Sequence, residues 1–270
     1  MARRGKLRVA TWNVNSVRLR QGLVRQLLAE AKPDVLCLQE TKSPDEHFPL
    51  GAMQEAGYRH IAIKGMKGYN GVAILSRLPF TLLPDTPDWC AKGDCRHIAV
   101  RLNAADIVIE NFYVPAGGDV PDPVANPKFR HKLDFVAEAT NHFAARGGAR
   151  RTLLLGDLNI APLEHDVWSH KQLLDVVSHT PVEVAALGAW QRAGHFVDAV
   201  RKFVPAEQKL YTWWSYRNSD WRASDRGRRL DHIWASADLA DSVKAHAILK
   251  DARDWQQGSD HVPVWVELSA

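Results

Sequence analysis

Short apolar segments recur along the chain, and several of them end in polar side chains. In the segment "TLLLGDLNIAP", residues 152–162, the run "TLLL" leads directly to Asp157 and Asn159. Side chains two positions apart on an extended strand point to the same side. This spacing predicts that Asp157 and Asn159 act together on one group.

Eight such segments predict β-strands, because they are rich in β-branched, aromatic and aliphatic residues and are bounded by turn residues. They are residues 6–14, 35–41, 71–76, 97–102, 106–114, 151–159, 229–236 and 261–268.

Two longer segments have the spacing of amphipathic helices. The first carries leucines at positions 19, 23, 27 and 28, with Ser16 as the predicted N-cap and Lys32-Pro33 as its end. The second spans residues 126–147, with Pro127 as the first helical residue and Gly147 at its end.

This order of strands and helices predicts one mixed α/β domain over residues 1–270, with two packed sheets and helices outside them. The Pro- and Gly-rich segments 79–89 and 115–127 are predicted to be loops between strands, where binding residues often lie.

Composition narrows the class of protein. The chain is 46% apolar and 24% charged and has no run of 18 apolar residues, which predicts a soluble, cytoplasmic protein. Three cysteines in 270 residues do not suggest a disulfide framework. Cys90, Cys95 and His97 lack a fourth ligand and a familiar zinc spacing.

The net charge of +4 and the pI near 9.0 favour a polyanionic partner. The positive charge is concentrated in residues 217–229, which hold five arginines. Such a segment is either a solvated basic loop or part of a binding surface.

Polar groups stand at the ends of most of the predicted strands. Any one of them is more often a turn residue, but ligands gather at strand ends in α/β sheets, so the whole set predicts a site. Its members are Asn13, Asn15, Glu40, Asn111, Tyr113, Asp157, Asn159, Asp231, Asp260 and His261.

These groups suit the hydrolysis of a phosphodiester. Glu40 and Asp260 offer the oxygen ligands that Mg²⁺ or Mn²⁺ prefers. Asp157 can orient or deprotonate a water, and His261, held by Asp231, can stabilise charge on the phosphoryl oxygens. The chain contains neither a G-x-S-x-G nucleophile motif nor a Walker loop.

At these residues the sequence resembles the exonuclease III family of abasic-site endonucleases, within the endonuclease/exonuclease/phosphatase superfamily. Seven pieces occur in the family's order between residues 11 and 264: "TWNVNSVRLR", "LCLQETK", "NFYVPAGG", "LLLGDLNIAP", "YTWWSYR", "RGRRLDHIWAS" and "GSDHVPV". The resemblance implies a deoxyribonuclease I-like four-layer α/β/β/α sandwich with two packed mixed sheets.

The resemblance also implies a role for each matching residue. The catalytic group comprises Tyr113, Asp157, Asn159, Asp231 and His261. The Mg²⁺ site, which could also take Mn²⁺, comprises Glu40, Asn13 and Asp260. The substrate-binding group comprises Asn15, Asn111, Trp213 and Arg217.

Family enzymes cut duplex DNA 5′ to an abasic site, remove nucleotides from 3′ ends and strip 3′-blocking groups. Trp213 matches the family position near the abasic sugar, and Trp214 and Trp221 are weaker candidates for DNA contact. This chain departs from the pattern at Asp119, where some members carry an inserting arginine nearby. It departs again at Trp168 and His170, where small residues can occur. Their bulk suggests a preference for 3′ ends over a flipped abasic sugar.

Other interpretations of the sequence stay open. The same scaffold could act on RNA or a small phosphoester, or could bind DNA without cutting it, although none of the candidate ligands is missing. Duplex DNA is the expected partner. No obligate protein partner is expected, and a monomer is predicted.

Overall fold

Two six-stranded sheets dominate the computed structural model, which describes residues 5–84, 86–218 and 220–269. The strands are β1 (Lys6–Asn13), β2 (Val35–Gln39), β3 (His60–Lys64), β4 (Val72–Ser76), β5 (Phe80–Leu82), β6 (His97–Leu102), β7 (Ile107–Tyr113), β8 (Thr152–Asp157), β9 (Phe196–Asp198), β10 (Trp213–Trp214), β11 (Gly227–Arg228), β12 (Asp231–Ser236), β13 (Val243–Ile248) and β14 (Val264–Ser269). The α-helices are α1 (Gln21–Glu30), α2 (Leu50–Glu55), α3 (Pro127–Ala145), α4 (His170–Leu173), α5 (Pro181–Ala193), α6 (Trp221–Ser224) and α7 (Ala237–Ala240).

Both large sheets are mixed. The first has the order β13-β14-β1-β2-β4-β3, in which β1 runs parallel to β2 and antiparallel to β14. The second has the order β5-β6-β7-β8-β12-β9, in which β7 and β8 are parallel. A small separate sheet joins β10 and β11.

The register of the second sheet brings three candidate residues into one row. Tyr113 of β7 pairs with Asp157 of β8, and Asp157 pairs with Asp231 of β12. The three strands therefore present these side chains at the same end of the sandwich.

Apolar residues divide the molecule into four layers. The two sheets share a core in which Val9 and Ile74 meet Ile109 and Leu155. The outer face of the first sheet packs on α1 and α2, through residues such as Trp12, Leu27 and Met53. The outer face of the second sheet packs on α3 and α5, through residues such as Phe112, Phe135 and Trp190. The predicted α/β/β/α sandwich with two mixed sheets is therefore confirmed.

Several local predictions need correction. Ser16 is not the N-cap of the first helix, because residues 16–20 form turns and α1 begins at Gln21. The predicted loop 79–89 contains the short strand β5, which pairs with β6. Asp85 in that segment, and Ser219 in the arginine-rich segment, lie outside the described residues.

The sequence interpretation did not identify α5 or β13. Thr180 caps α5 through a reciprocal pair of contacts with Glu183, a sequence signal that could have been recognised. Within the described residues, no helix combines the length and apolar character needed to cross a membrane.

Gly156 is the residue that lets β7 and β8 approach at the end of the sandwich. Its φ is +141°, and a Cβ there would lie 1.9 Å from the carbonyl oxygen of Phe112. We expect Gly156→Ala to lower the free energy of unfolding by about 2 kcal/mol or more, measured by urea denaturation.

Gly22→Ala is the matched control for this change. Gly22 lies in α1, where an added Cβ would meet no atom within 4 Å, so alanine should stabilise the helix by about 0.5–1 kcal/mol. Equal effects of the two substitutions would contradict the steric explanation.

Candidate active site

The candidate residues lie on the inner faces of both sheets, at one end of the sandwich. In β8, Leu153 and Leu155 point into the core between the sheets, and Asp157 follows with the same parity. In β1 the same alternation places Val9 and Asn13 on the inner face, and in β12 it places Ile233 and Asp231 there. The apolar inner face of each strand thus fixes where its polar end points.

Two equivalent turns follow β1 and β8. The Asn15 backbone N–H donates to Asn13 Oδ1 at 3.1 Å, and the Asn159 N–H donates to Asp157 Oδ1 at 3.0 Å. Asn15 and Asn159 have φ values of 46° and 54°. The two residues of each pair are therefore close together, as predicted. A turn that the side chain stabilises brings them together, and not a continuing strand.

Hydrogen bonds join the two sheets at this end. The Asn13 amide donates to Glu40 Oε1 and to Asp157 Oδ2, both at 2.8 Å. The Tyr113 hydroxyl donates to Glu40 Oε1 at 2.9 Å, and the Asn159 amide donates to Asp157 Oδ2 at 3.1 Å. Five of the predicted residues thus form one network.

His261 lies between two buried carboxylates. Its Nδ1 is 2.8 Å from Asp231 Oδ2, and its Nε2 is 3.7 Å from Asp157 Oδ2. Burial lowers the pKa of His261, but the Asp231 and Asp157 carboxylates outweigh burial and raise it to about 10. Burial raises the pKa of Asp157, while the His261 charge acts in the opposite direction. The two carboxylates therefore favour the protonated form of His261 next to Asp157.

Glu40 follows β2 and is paired with Lys42. The Lys42 ammonium lies 2.8 Å from Glu40 Oε2 and donates to Asn15 Oδ1 at 2.6 Å. Burial opposes ionisation of Glu40, but Lys42 and the Asn13 amide hold its pKa below the usual range. Lys42 was not among the predicted site residues, although it ends the motif "LCLQETK".

Asp260 occupies the neighbouring turn before β14. Asn15 Nδ2 donates to its Oδ1 at 3.3 Å, and Trp213 Nε1 donates to its Oδ2 at 2.9 Å. The carboxylate therefore connects the turn after β1 to the aromatic side chain of β10.

Two sets of groups at this end could hold a metal ion. Asp157, Asp231 and His261 place ligand atoms within 4.8 Å of one another. There the imidazolium already supplies the positive charge, and its Nδ1 is bonded to Asp231. Glu40, Asp260 and Asn13 offer the oxygen donors that Mg²⁺ or Mn²⁺ prefers, and Lys42, now 2.8 Å from Glu40, would have to turn away from an ion bound there.

A cavity of about 460 Å³ is bordered by Trp213, whose indole N–H donates to Asp260. Its wall includes Trp168, Trp213, Arg217, Arg226 and Arg228. The Arg226 guanidinium lies 4.7 Å from the centre of the Trp168 ring, and that of Arg228 lies 5.4 Å from the Trp213 ring. Such cation–aromatic walls suit a nucleotide.

The arginine-rich segment is divided between arginines that line the cavity and arginines that are engaged in ion pairs. Arg217, Arg226 and Arg228 line the cavity. Arg229 is buried and paired with Asp198 at 2.6 Å, and Arg222 pairs with Asp251 at 2.6 Å. Arg229 therefore fits neither of the two alternatives given by the sequence, and the binding role of the three cavity arginines stays a prediction.

The structure corrects the assignment of Asn111 to substrate binding. Asn111 is fully buried between the sheets, where its amide donates to the carbonyls of Leu38 and Ala73 and its Oδ1 accepts from Gln39. Both N–H groups of its amide are used by backbone carbonyls, so Asn111 offers no free donor to a substrate. It belongs to the floor beneath the site.

The remaining aromatic candidates separate by burial. Trp214 and Trp221 are buried together in a small cluster with Tyr211, so DNA contact is not supported for either. Trp168 lines the cavity, whereas the His170 ring is bonded to His179 at 2.7 Å.

Comparison with known proteins places this geometry among nucleases. The profile of the endonuclease/exonuclease/phosphatase family matches residues 10–261. Exodeoxyribonuclease III of Haemophilus influenzae is 29% identical, over 97% of this chain and 100% of that protein. The structure of an AP endonuclease from Archaeoglobus fulgidus matches with a TM-score of 0.89 and 31% identity, over 98% of this chain and 100% of that one. A 3′ phosphatase from Neisseria bound to a product DNA hairpin matches with a TM-score of 0.88 and 30% identity, over the same shares. These matches confirm the deoxyribonuclease I-like fold.

Proposed function

Because the chain belongs to the endonuclease/exonuclease/phosphatase family and is a nuclease of the exodeoxyribonuclease III type, we propose that it is a Mg²⁺-dependent DNA repair phosphodiesterase. Its substrates are duplex DNA with an internal abasic site, a 3′ end or a 3′-blocking group. One domain, residues 1–270, carries the activity.

One observation carries this proposal most strongly. Asn13 of the first sheet donates to Glu40 and to Asp157 of the second sheet, so a metal-binding carboxylate and a water-activating carboxylate are held in one network. His261 lies on the far side of Asp157, and the arginine-lined cavity opens next to them.

Glu40, Asp260 and Asn13 would hold the Mg²⁺ ion. When bound, the ion neutralises charge on the scissile phosphate and orients it. Lys42 keeps Glu40 ionised and turned towards Asn15. These residues bring the phosphate to the inner edge of both sheets.

Asp157 orients the attacking water and accepts its proton as the water adds in line to phosphorus. The bond from phosphorus to the 3′ oxygen breaks at the same time, and the departing oxygen takes a proton from solvent. The Asn159 amide, 3.1 Å from Asp157 Oδ2, exchanges this contact for a phosphate oxygen when DNA binds. His261 donates from Nε2 to the phosphate and is fixed through Nδ1 by Asp231. Burial raises the pKa of Tyr113 well above its ordinary value, so its hydroxyl stays a donor.

The cavity supplies substrate recognition. Arg217, Arg226 and Arg228 can neutralise backbone phosphates, while Trp213 and Trp168 offer flat surfaces for a sugar or base. We infer that the bulk of Trp168 in the cavity wall disfavours a flipped abasic sugar. We therefore expect removal of a 3′ phosphate to be faster than incision at an internal abasic site.

One gel tests the proposal. Pure protein is incubated with duplexes carrying an internal abasic analogue, a recessed 3′ end or a 3′ phosphate, each with Mg²⁺ or with EDTA. Cleavage is expected in Mg²⁺ and not in EDTA, and it should be fastest at the 3′ phosphate. Binding of DNA without formation of any product would overturn the proposal that this protein cleaves DNA. Incision of the abasic duplex at an equal or greater rate would remove the role given to Trp168.

A further inference from the structure

Lys132 is a fully buried cation that none of the roles above uses. It lies in α3, with its side chain entirely removed from solvent, and its ammonium is 2.5 Å from Glu183 Oε1 of α5, which is also fully buried. The same ammonium donates to the backbone carbonyl of Asn159 at 2.8 Å and to that of Ala116 at 3.2 Å. All three donors of the lysine are therefore occupied.

The contact with Asn159 connects this ion pair to the candidate active site. Asn159 has a left-handed backbone, and both its N–H and its side-chain amide donate to Asp157. A donor fixed on the Asn159 carbonyl holds this residue in that conformation. Lys132 thus acts on Asp157 through one intervening residue.

Glu183 extends the same network to the cavity wall. Its carboxylate accepts the Ser178 N–H at 2.9 Å and the Thr180 hydroxyl at 2.6 Å. The Ser178 hydroxyl in turn accepts from Arg228 Nη1 at 2.7 Å. Arg228 lines the cavity beside Trp213. One buried ion pair therefore binds both Asn159, which holds Asp157, and Ser178, which holds Arg228.

We propose that the Lys132–Glu183 ion pair is a positioning device that sets Asn159, and through it Asp157, relative to the Arg228 wall of the cavity. The pair reaches these groups through hydrogen bonds to Asn159 and Ser178, so the effect proposed here is geometric. This inference rests on the proposed function, because the groups it positions are those assigned to phosphodiester hydrolysis. A displacement of about 1 Å in such groups lowers turnover by about 100-fold.

Three variants test the role of the pair. Lys132→Met removes the cation and its three hydrogen bonds, and Glu183→Gln retains much of the hydrogen-bonding shape without the charge. Removing one member of a buried ion pair leaves the other charge buried without a partner. The double variant Lys132→Met/Glu183→Gln avoids this and remains available if Lys132→Met does not fold.

The matched control is Phe143→Leu. Phe143 lies near the other end of α3, buried against Trp190 and Phe196, so its replacement destabilises the same layer without touching Asn159. We expect its kcat to stay within about twofold of the wild type.

The first readout separates kcat from KM for cleavage of duplex DNA. The folded ion-pair variants are expected to lose about 10–100-fold in kcat while KM changes less than about threefold. Lys132→Arg, which keeps the cation, should recover part of the loss. Variants that retain wild-type kcat, or a Phe143→Leu protein that loses kcat as strongly at equal melting temperature, would overturn the inference.

The second readout needs no activity. Hydrogen exchange measured by mass spectrometry should accelerate in residues 157–161 and 176–180 of the ion-pair variants, and not in Phe143→Leu. Unchanged exchange in these segments would also overturn the inference. If the wild type cleaves no DNA, the proposed function fails, while the exchange experiment still reports whether Lys132 positions Asn159.

Discussion

Asp157→Asn is expected to lower the rate of DNA cleavage about 10³-fold or more, while the protein remains folded and binds DNA. The amide cannot accept the proton of the attacking water. Its oxygen can accept from the Asn13 and Asn159 side chains in place of Oδ2, but its NH2 group then faces the Asn159 N–H, so a modest loss of stability is expected. Removal of a negative charge next to the scissile phosphate should leave DNA affinity equal or greater. Single-turnover cleavage and a fluorescence-anisotropy titration in the same buffer measure the two effects.

Asp34→Asn is the matched control for this variant. Asp34 is also a buried aspartate, whose Oδ2 accepts the Arg8 N–H at 2.9 Å, but it precedes β2 at the end opposite to Glu40. We expect full cleavage by this control. Continued turnover by Asp157→Asn would remove Asp157 from the reaction.

His261→Gln should have the second largest effect, a loss of about 10²–10³-fold in kcat. Glutamine can donate a hydrogen bond but carries no charge, so the imidazolium that faces the phosphate is lost. The buried Asp231 and Asp157 carboxylates also lose the cation between them. The variant should therefore melt at a lower temperature than the wild type. Its cleavage rate should be measured at a temperature below its unfolding transition.

His97→Gln provides the comparison. His97 is equally buried and bonded to a carboxylate, Glu110, at 2.6 Å, but it faces the outer side of the second sheet. Its kcat should stay within about twofold of the wild type. A similar loss in both variants would show that the effect of His261→Gln arises from stability and not from charge at the phosphate.

Much of the architecture could be predicted from local sequence. The predicted bounds of β6 and β7 agree with the structure to within one residue at each end. The apolar pattern of a strand and the turn residues beside it are local signals, which is why they could be predicted. Strand β13 was missed, since its residues are mostly half-exposed and carry a weak pattern.

The site was predictable as a set but not as a geometry. The polar ends of strands and the motifs around them identified Glu40, Asp157 and His261. The contacts that join Asn13 to Asp157 span 144 residues of sequence, and no local pattern encodes such a distance. The same limit applies to Asn111, whose side chain points inward like that of Tyr113 but lies two residues further from the end of the strand. There the Leu38 and Ala73 carbonyls and the Gln39 side chain of the other sheet bind its amide.

The position of β14 has a consequence for the timing of activity. This strand inserts between β1 and β13, and the turn before it carries Asp260 and His261. Until β14 pairs with β1, the turn that carries Asp260 and His261 has no fixed place, and the imidazole beside Asp157 is missing. We therefore expect the proposed nuclease activity to appear only after β14 has paired, and not in a partly folded chain.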